Sequence, residues 1–384
     1  MAENNPYDFD QHVDRRNTDC DKWDKYKDTD ILPMWVADTD FRSPPEVLDA
    51  LHQRIDHGVL GYGHAPDALT DTIVARLAER YNWKIDPEWI VYLPGLVCGL
   101  NLTVRALTEA KEAAMTPCPI YPPFVSSIKL AEREICKVPV ALKEGRWLID
   151  LERADNLIPK NTKLMMFCNP FNPGGTVYRR EELEEVLAFA EKHDLYVCSD
   201  EIHCDLLLDE DAVHIPFASL SESAQKRSVT LIAPSKTFNI AGLGASIAIV
   251  PDPDLRRKFV RTRQGIVPSL NVLAYTAATA AYHHGQPWLD AQLDYLRANR
   301  DLVEQEIATI PGLELQHIEA TYLAWIDASA LPVDNPFAFF EEAGVGMSPG
   351  SDFGNPNFVR LNFGCTRELL TEALRRIRVA VETL

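Results

Sequence analysis

Through the middle of the chain, short apolar runs at 163–168, 195–199, 229–233 and 245–250 are separated by polar or helix-periodic stretches. Runs of that length bounded by turn residues predict buried strands, and their alternation with helical periodicity predicts a largely parallel βα sheet. Between the first two runs, residues 180–193 (REELEEVLAFAEKH) set Leu183, Val186, Leu187 and Ala190 on one stripe. Acids come early and Lys192 and His193 late, as the helix dipole prefers, so a helix is expected there. Beyond Pro268 the pattern is helical through 270–285 and 287–310, followed by short strands at 322–327 and 358–363 and a closing helix at 367–383. This predicts a second, smaller α+β unit. The proline-marked stretch 42–45 reads as a crossing out of an N-terminal arm. The expected division is an arm at 1–45, belonging in part to the small unit, a large unit at 46–275 and a small unit at 276–384.

Composition narrows the partners. With 384 residues, 46% of them apolar, the chain is able to bury at least one large core. Lys and Arg number 38 against 57 Asp and Glu, and the formal charge of −19 would repel nucleic acid and anionic membrane surfaces. The opening residues, MAENNPYDFDQHVDRR, have no basic patch leading into an apolar run, and no stretch of about 18 apolar residues occurs. The expectation is a cytoplasmic protein with neither a nucleic-acid nor a membrane partner. Its eight cysteines form no CxxC pair and no zinc spacing, so packed, reduced thiols are expected and no metal site.

In such a sheet, residues at the carboxyl ends of the strands face the ligand crevice. Three polar motifs fall there, in the order Asn172, Asp200, Lys236. Lys236, in Ala-Pro-Ser-Lys-Thr-Phe-Asn-Ile-Ala-Gly-Leu, follows a strand and precedes small residues and a glycine, where an amine is available to form an imine. By itself the Ser-Lys pair reads as a solvated surface lysine, and only its context points to an imine. Asp200, in Ser-Asp-Glu-Ile-His, stands at the lip of the sheet. A carboxylate buried there needs a cationic partner, which a protonated pyridine nitrogen would supply, and a helix N-cap is the plainer alternative. Asn172 lies in Asn-Pro-Phe-Asn-Pro-Gly-Gly, a tight-turn sequence, with an amide able to donate to a ring oxygen. Gly95-Leu-Val-Cys-Gly opens a helical pattern whose first backbone N–H groups would suit a phosphate dianion. Arg360, in Phe-Val-Arg-Leu-Asn-Phe, offers a planar guanidinium for bidentate grip of a carboxylate, against the alternative of a surface ion pair.

These motifs, in this order and over nearly the whole chain, resemble the fold-type I pyridoxal-phosphate enzymes of the aminotransferase class I and II superfamily. The resemblance implies an aspartate-aminotransferase-like fold: a large unit with a mostly parallel sheet of the seven-stranded type flanked by helices, plus a smaller α+β unit. It implies that Lys236 carries pyridoxal 5'-phosphate as a Schiff base, that Asp200 faces the pyridine nitrogen, and that Asn172 faces the phenolate oxygen. Arg360 would bind the substrate carboxylate, Tyr121 in Cys-Pro-Ile-Tyr-Pro-Pro-Phe would stack on the ring, and Val97 and Cys98 would supply phosphate-binding amides. Tyr62, in Gly-Tyr-Gly-His, resembles the tyrosine that reaches the phosphate of the other subunit, which implies a homodimer with shared active sites.

Departures from the aminotransferase pattern refine this. His203 stands where aspartate aminotransferases place a tyrosine, Gly244 where they place an arginine on the phosphate, and Ala233 replaces a phosphate-binding serine, leaving Ser235 as the hydroxyl. Together with Met-Trp-Val-Ala-Asp-Thr-Asp-Phe at 34–41, these features are similar to the MalY/PatB group, which contains cystathionine β-lyases. That likeness implies a carbon–sulfur β-lyase cleaving L-cystathionine or related L-cysteine S-conjugates to a thiol, pyruvate and ammonia. Lys236 would be the general base, and Trp35, Val36, Ala37 and Tyr121 would be walls of the substrate site, with core packing the alternative for the apolar ones. A class I/II aminotransferase and a non-catalytic regulatory protein on the same fold remain the competing readings.

Overall fold

The apolar runs become strands, and the sheet they join extends well upstream of them. The computed structural model describes residues 7–384, so residues 1–6 of the expected arm lie outside the described residues. Its large sheet contains β1 (Ile90–Leu93), β2 (Ala113–Cys118), β3 (Glu134–Lys143), β4 (Arg146–Ile149), β5 (Thr162–Cys168), β6 (Tyr196–Asp200), β7 (Ser228–Ile232) and β8 (Ser246–Ile249). The spatial order is β1-β8-β7-β6-β5-β2-β3-β4. The run β7-β6-β5-β2-β3 is parallel throughout, while β8 is antiparallel to both its neighbours. The eighth strand, β4, is the return limb of a hairpin on β3, turned by Glu144 and Gly145 at φ 50° and 78°. Positive φ at both central residues gives a twist that a two-residue hairpin accepts.

The central strands match the apolar runs to within a residue, and the 180s helix spans Arg180–Lys192. The four upstream strands were not among the expected runs, although Ile90–Leu93 (IVYL) is itself a short apolar run ahead of Pro94-Gly95. Ala113–Cys118 (AAMTPC), by contrast, is rich in small residues and carries a proline, and only its position between two paired neighbours makes it a strand.

Residues of β7 and β8 divide between two apolar clusters, one on each face, as in a sheet covered on both sides, whereas the apolar residues of β5 and β6 all join the first of them. On one side Val229, Leu231 and Ala248 pack with Leu100, Val104, Phe124, Leu183, Val186 and Phe259 from the helices. On the other, Ile232, Ile247 and Ile249 pack with Ile73, Leu77, Ala277 and Ala281, and this cluster runs on through Leu289 and Leu296 to Leu361 and Phe363 of the smaller sheet.

That smaller sheet holds β9 (Glu314–Leu315), β10 (Leu323–Asp327), β11 (Ser348–Pro349) and β12 (Phe358–Asn362), in the antiparallel order β9-β10-β12-β11. The helices Gln286–Ile307 and Arg367–Glu382 accompany it. Residues Leu32–Pro33 of the arm pair in parallel with Val345–Gly346. The expected 275/276 division falls inside one continuous helix, Val272–His284, which packs on Pro45–Asp56 and Asp67–Tyr81. No described helix is long and apolar enough to cross a membrane.

Candidate active site

Three adjacent parallel strands end flush. Cys168 of β5 pairs with Asp200 of β6, and Asp200 pairs with Leu231 of β7. The residues just beyond these ends therefore emerge side by side, at the edge where ligands of such sheets bind. After β5 comes the Asn169–Gly175 turn, in which Asn169 Oδ1 accepts the Tyr178 N–H at 3.0 Å and so serves the turn itself. Asn172 is left to face the crevice. After β7 comes a single helical turn, Pro234–Thr237, that carries Lys236. Thr237 anchors this turn to the buried Asp205, which in turn binds Arg76 and Tyr81.

A cavity of about 200 Å³ lies between these ends. Its walls include Ala37, Val97, Tyr121, Asn172, Asp200, His203, Ser235 and Lys236, so eight of the residues expected from the sequence meet around one space. Arg360 stands next to it, 3% exposed, and donates from Nη1 to Asn172 Oδ1 at 3.0 Å and from Nη2 to the Trp35 carbonyl at 3.0 Å. Its guanidinium lies 4.6 Å from the Phe353 ring centroid, and its Nε has no partner.

Burial dominates the electrostatics of the cavity. Burial pushes the Asp200 carboxyl up to about 7, opposed by the Ile202 N–H and by Lys236. A cation set against it would restore the carboxylate. Burial brings the Lys236 amine down to about 8, with Arg360 acting in the same direction and Asp38 and Asp200 against it. That value suits a base working near neutral pH. His203 is 2% exposed, and burial, Lys236 and Arg360 lower it to about 3, so its ring is neutral; Nδ1 has no partner. Burial likewise lowers Arg360 to about 10, with Tyr121 and Tyr322 resisting, and raises Tyr121.

At the other end of the cavity, Gly95 caps the helix Leu96–Leu107 with φ 139°, a conformation closed to other residues. The first backbone N–H groups of that helix, Val97 and Cys98 among them, have no intrahelical acceptor. Val97 lines the cavity, whereas the Cys98 side chain is half-buried and does not. Ser235 and Ser246 add hydroxyls. Gly244, at φ 72°, holds its α-carbon so close to Pro94 that a Cβ would meet that carbonyl at 3.2 Å. An arginine is thus disfavoured there, and the polar groups left at this end are the hydroxyls and the helix start, which suit an anion.

A pyridoxal phosphate fits these features: an uncompensated buried carboxylate for its ring nitrogen, an amine, a neutral unpartnered imidazole and a helix start for its phosphate. Trp35 and Val36, expected as walls of the substrate site, do not line this cavity, Trp35 donating instead from its indole N–H to the Lys22 carbonyl at 3.0 Å, and neither does Tyr62. Tyr62 is fully exposed, on an irregular stretch beside exposed Val59 and Leu60. Tyr322 was not anticipated; it is wholly buried and donates from its hydroxyl to the Ala37 carbonyl at 3.1 Å. Its only trace in the sequence is an aromatic residue at the start of an apolar strand, which packing explains equally well.

Comparison with known proteins agrees with this geometry. The family model for aminotransferase class I and II matches residues 29–377. The cystathionine beta-lyase PatB of Bacillus subtilis is 39% identical, over 97% of this chain and 99% of its own length. A crystal structure of OvoB superposes with a TM-score of 0.97 at 55% identity, covering 98% of this chain and all of the other. The pyridoxal-phosphate-bound C-S lyase of Staphylococcus hominis gives a TM-score of 0.90 at 30% identity, with 98% of each chain covered. Matched along nearly its whole length in family, sequence and fold, the chain belongs to the aminotransferase class I and II family.

Proposed function

We propose that this protein is a pyridoxal-phosphate-dependent carbon–sulfur β-lyase, acting on L-cystathionine or a related L-cysteine S-conjugate. The observation that carries the reading is the meeting of Lys236, Asp200 and Asn172 around one cavity, in a chain 39% identical to a cystathionine beta-lyase over nearly its full length. In the net reaction the Cβ–S bond breaks, the thiol departs with a proton, and water converts the remaining fragment to pyruvate and ammonia.

When bound, the cofactor supplies an electron sink for the pair left on Cα once its proton departs. Lys236 would hold the cofactor covalently, and its free amine would take the α-proton on Nζ. The Asp200 carboxylate keeps a proton on the ring nitrogen, its own ionisation restored by that cation. Asn172 donates from its side-chain amide to the ring oxygen, because its Oδ1 is already engaged by Arg360. Arg360 orients the substrate carboxylate, and Tyr121 stacks on the ring. His203, as a neutral imidazole, donates to or accepts from the cofactor without adding charge. Val97, Cys98 and Ser235 take the phosphate through two backbone amides and a hydroxyl.

The exposed Tyr62 suits a homodimer in which each tyrosine completes the partner's phosphate site. The eight unpaired cysteines suit a reducing, cytoplasmic setting. With an arm at 1–45, a large unit at 46–275 and a small unit at 276–384, the cavity would lie between the arm and the large unit, with Arg360 of the small unit bonded to its Asn172 wall.

The test is pyruvate formation from cystathionine by the purified, cofactor-loaded protein, with Lys236→Ala as the control. Turnover that depends on 2-oxoglutarate and yields glutamate in place of pyruvate would make it an aminotransferase. A Lys236→Ala variant with full turnover would remove the lysine from the chemistry.

A further inference from the structure

A strap of irregular chain, residues 35–40, runs past the cavity, and the carbonyls of residues 35–39 are all engaged. Trp35 O accepts from Arg360 and Ser348, Val36 O and Asp38 O accept from the Asn362 amide, and Thr39 O accepts from Arg15 and Asn239. The Ala37 carbonyl accepts twice, from Lys236 Nζ at 2.6 Å and from the Tyr322 hydroxyl at 3.1 Å. The strap is held from its own side by a charge cluster. Arg15 binds Asp38 at 2.7 Å and Asp40 at 2.8 Å, and Lys22, with no exposed surface, binds Asp40 at 2.8 Å. Burial pushes the Asp40 carboxyl up, but Lys22, Trp23 and Arg15 outweigh it and hold it below the usual range. Buried charge clusters add little net stability over apolar packing of the same volume. What this one fixes is where the strap lies.

We propose that the Ala37 carbonyl is the resting acceptor of the free Lys236 amine, and that Arg15, Lys22, Asp38 and Asp40 are positioning residues that hold this carbonyl so that the amine is oriented for proton removal. The inference rests on the reading of Lys236 as the base. A hydrogen bond from one N–H fixes rotation about Cε–Nζ, so the lone pair is aimed when the amine is released instead of being sampled among rotamers. The cluster also sets the charge around the amine. Asp38 and Asp200 favour its protonated form, and Arg360 and burial oppose it. The remaining titratable groups around the cavity are neutral, because His203 is pushed down and Tyr121 and Tyr322 are pushed up.

Arg15 and Asp38 keep 20% and 24% of their side chains exposed, and when either is replaced Asp40 keeps its 2.8 Å contact with Lys22. The experiment measures acylation of Lys236 by acetic anhydride in the cofactor-free full chain against pH, read by mass spectrometry, together with kcat and KM of the loaded enzyme. Asp38→Asn removes a favourable negative charge and should lower the midpoint of acylation by about half a pH unit. Arg15→Gln leaves Asp38 only the longer Lys22 contact, at 3.8 Å, and should raise the midpoint by about as much, with Arg15→Lys returning it towards wild type. Both should cut kcat about tenfold with KM within about twofold. Midpoints within about 0.2 of wild type, or moving in the same direction in both variants, would overturn the proposal, since a merely structural cluster alters stability alone. If the midpoints stay put and Lys236→Ala makes no pyruvate, only the positioning role falls. If Lys236→Ala makes pyruvate, the reading of the base falls and the positioning role with it.

Discussion

Arg360 and Asn172, separated by 188 residues, share a hydrogen bond from Nη1 to Oδ1 at 3.0 Å. The bond joins β12 of the small sheet to the turn after β5 of the large one, so the group placed for the substrate carboxylate and the group placed for the cofactor are set against each other. A lysine at 360 would offer one point charge in place of a fork and would abandon either Asn172 or the Trp35 carbonyl. Arg360→Lys should therefore lower kcat/KM by on the order of a hundredfold, the equivalent of about 2–3 kcal/mol for a charge-assisted bond. Steady-state kinetics with cystathionine check this; a loss below about threefold would place the carboxylate elsewhere.

Asp200 should trade stability for function. Its value in the folded chain is about 7 against an ordinary 3.8. Below about pH 4 the group is protonated in folded and unfolded chains alike and its burial exacts nothing; the penalty grows as pH rises and is complete above about 7. In the cofactor-free protein Asp200→Asn, neutral throughout, should gain roughly 1–3 kcal/mol over wild type at pH 8 and nearly nothing at pH 4. The loaded variant should turn over on the order of 10²–10³ times more slowly. Urea midpoints at the two pH values provide the readout, and a variant less stable than wild type at pH 8 would mean that a counter-ion already stands beside Asp200.

His203 should not titrate at any working pH. With burial, Lys236 and Arg360 all acting against its cation, its value lies near 3. The expected NMR result is an imidazole whose chemical shifts stay flat between about pH 5 and 9, and whose resonances vanish in His203→Gln. A shift that follows a midpoint near 6.5 would show that the ring is wetter and less crowded by charge than its burial indicates.

Tyr62 lies exposed on a stretch that does not reach its own cavity. Mixing inactive Lys236→Ala with Tyr62→Ala tests whether it serves a partner. In a heterodimer one site would take Lys236 from the second chain and Tyr62 from the first, and would be intact. Random exchange should then restore about a quarter of wild-type activity, whereas a tyrosine serving its own subunit restores nothing beyond the sum of the parents.

How much of this was legible in the sequence varied with the physics behind each feature. Asn172, Asp200 and Lys236 could be found because each follows an apolar run, and a parallel sheet brings strand ends to one edge whatever the details of packing. The helix at 180–192 was legible for the same kind of reason, since a periodic stripe and its end charges are local properties. Strand β2 was not, because the small residues and proline of Ala113–Cys118 form a strand only by virtue of pairing with both neighbours.

The sequence by itself determined the chemistry available: an amine, an acid and an amide in fixed order, each at the end of a strand, with a glycine-led helix start upstream. Only the tertiary structure decided how those groups behave. Desolvation sets Asp200 near 7 and Lys236 near 8, and no local motif encodes it. The same holds for Tyr322 and the strap at 35–40, which meet Lys236 only because the arm and the small sheet fold back over the strand ends. Local patterns specify which atoms can react, and long-range packing specifies the dielectric and the contacts that tune them.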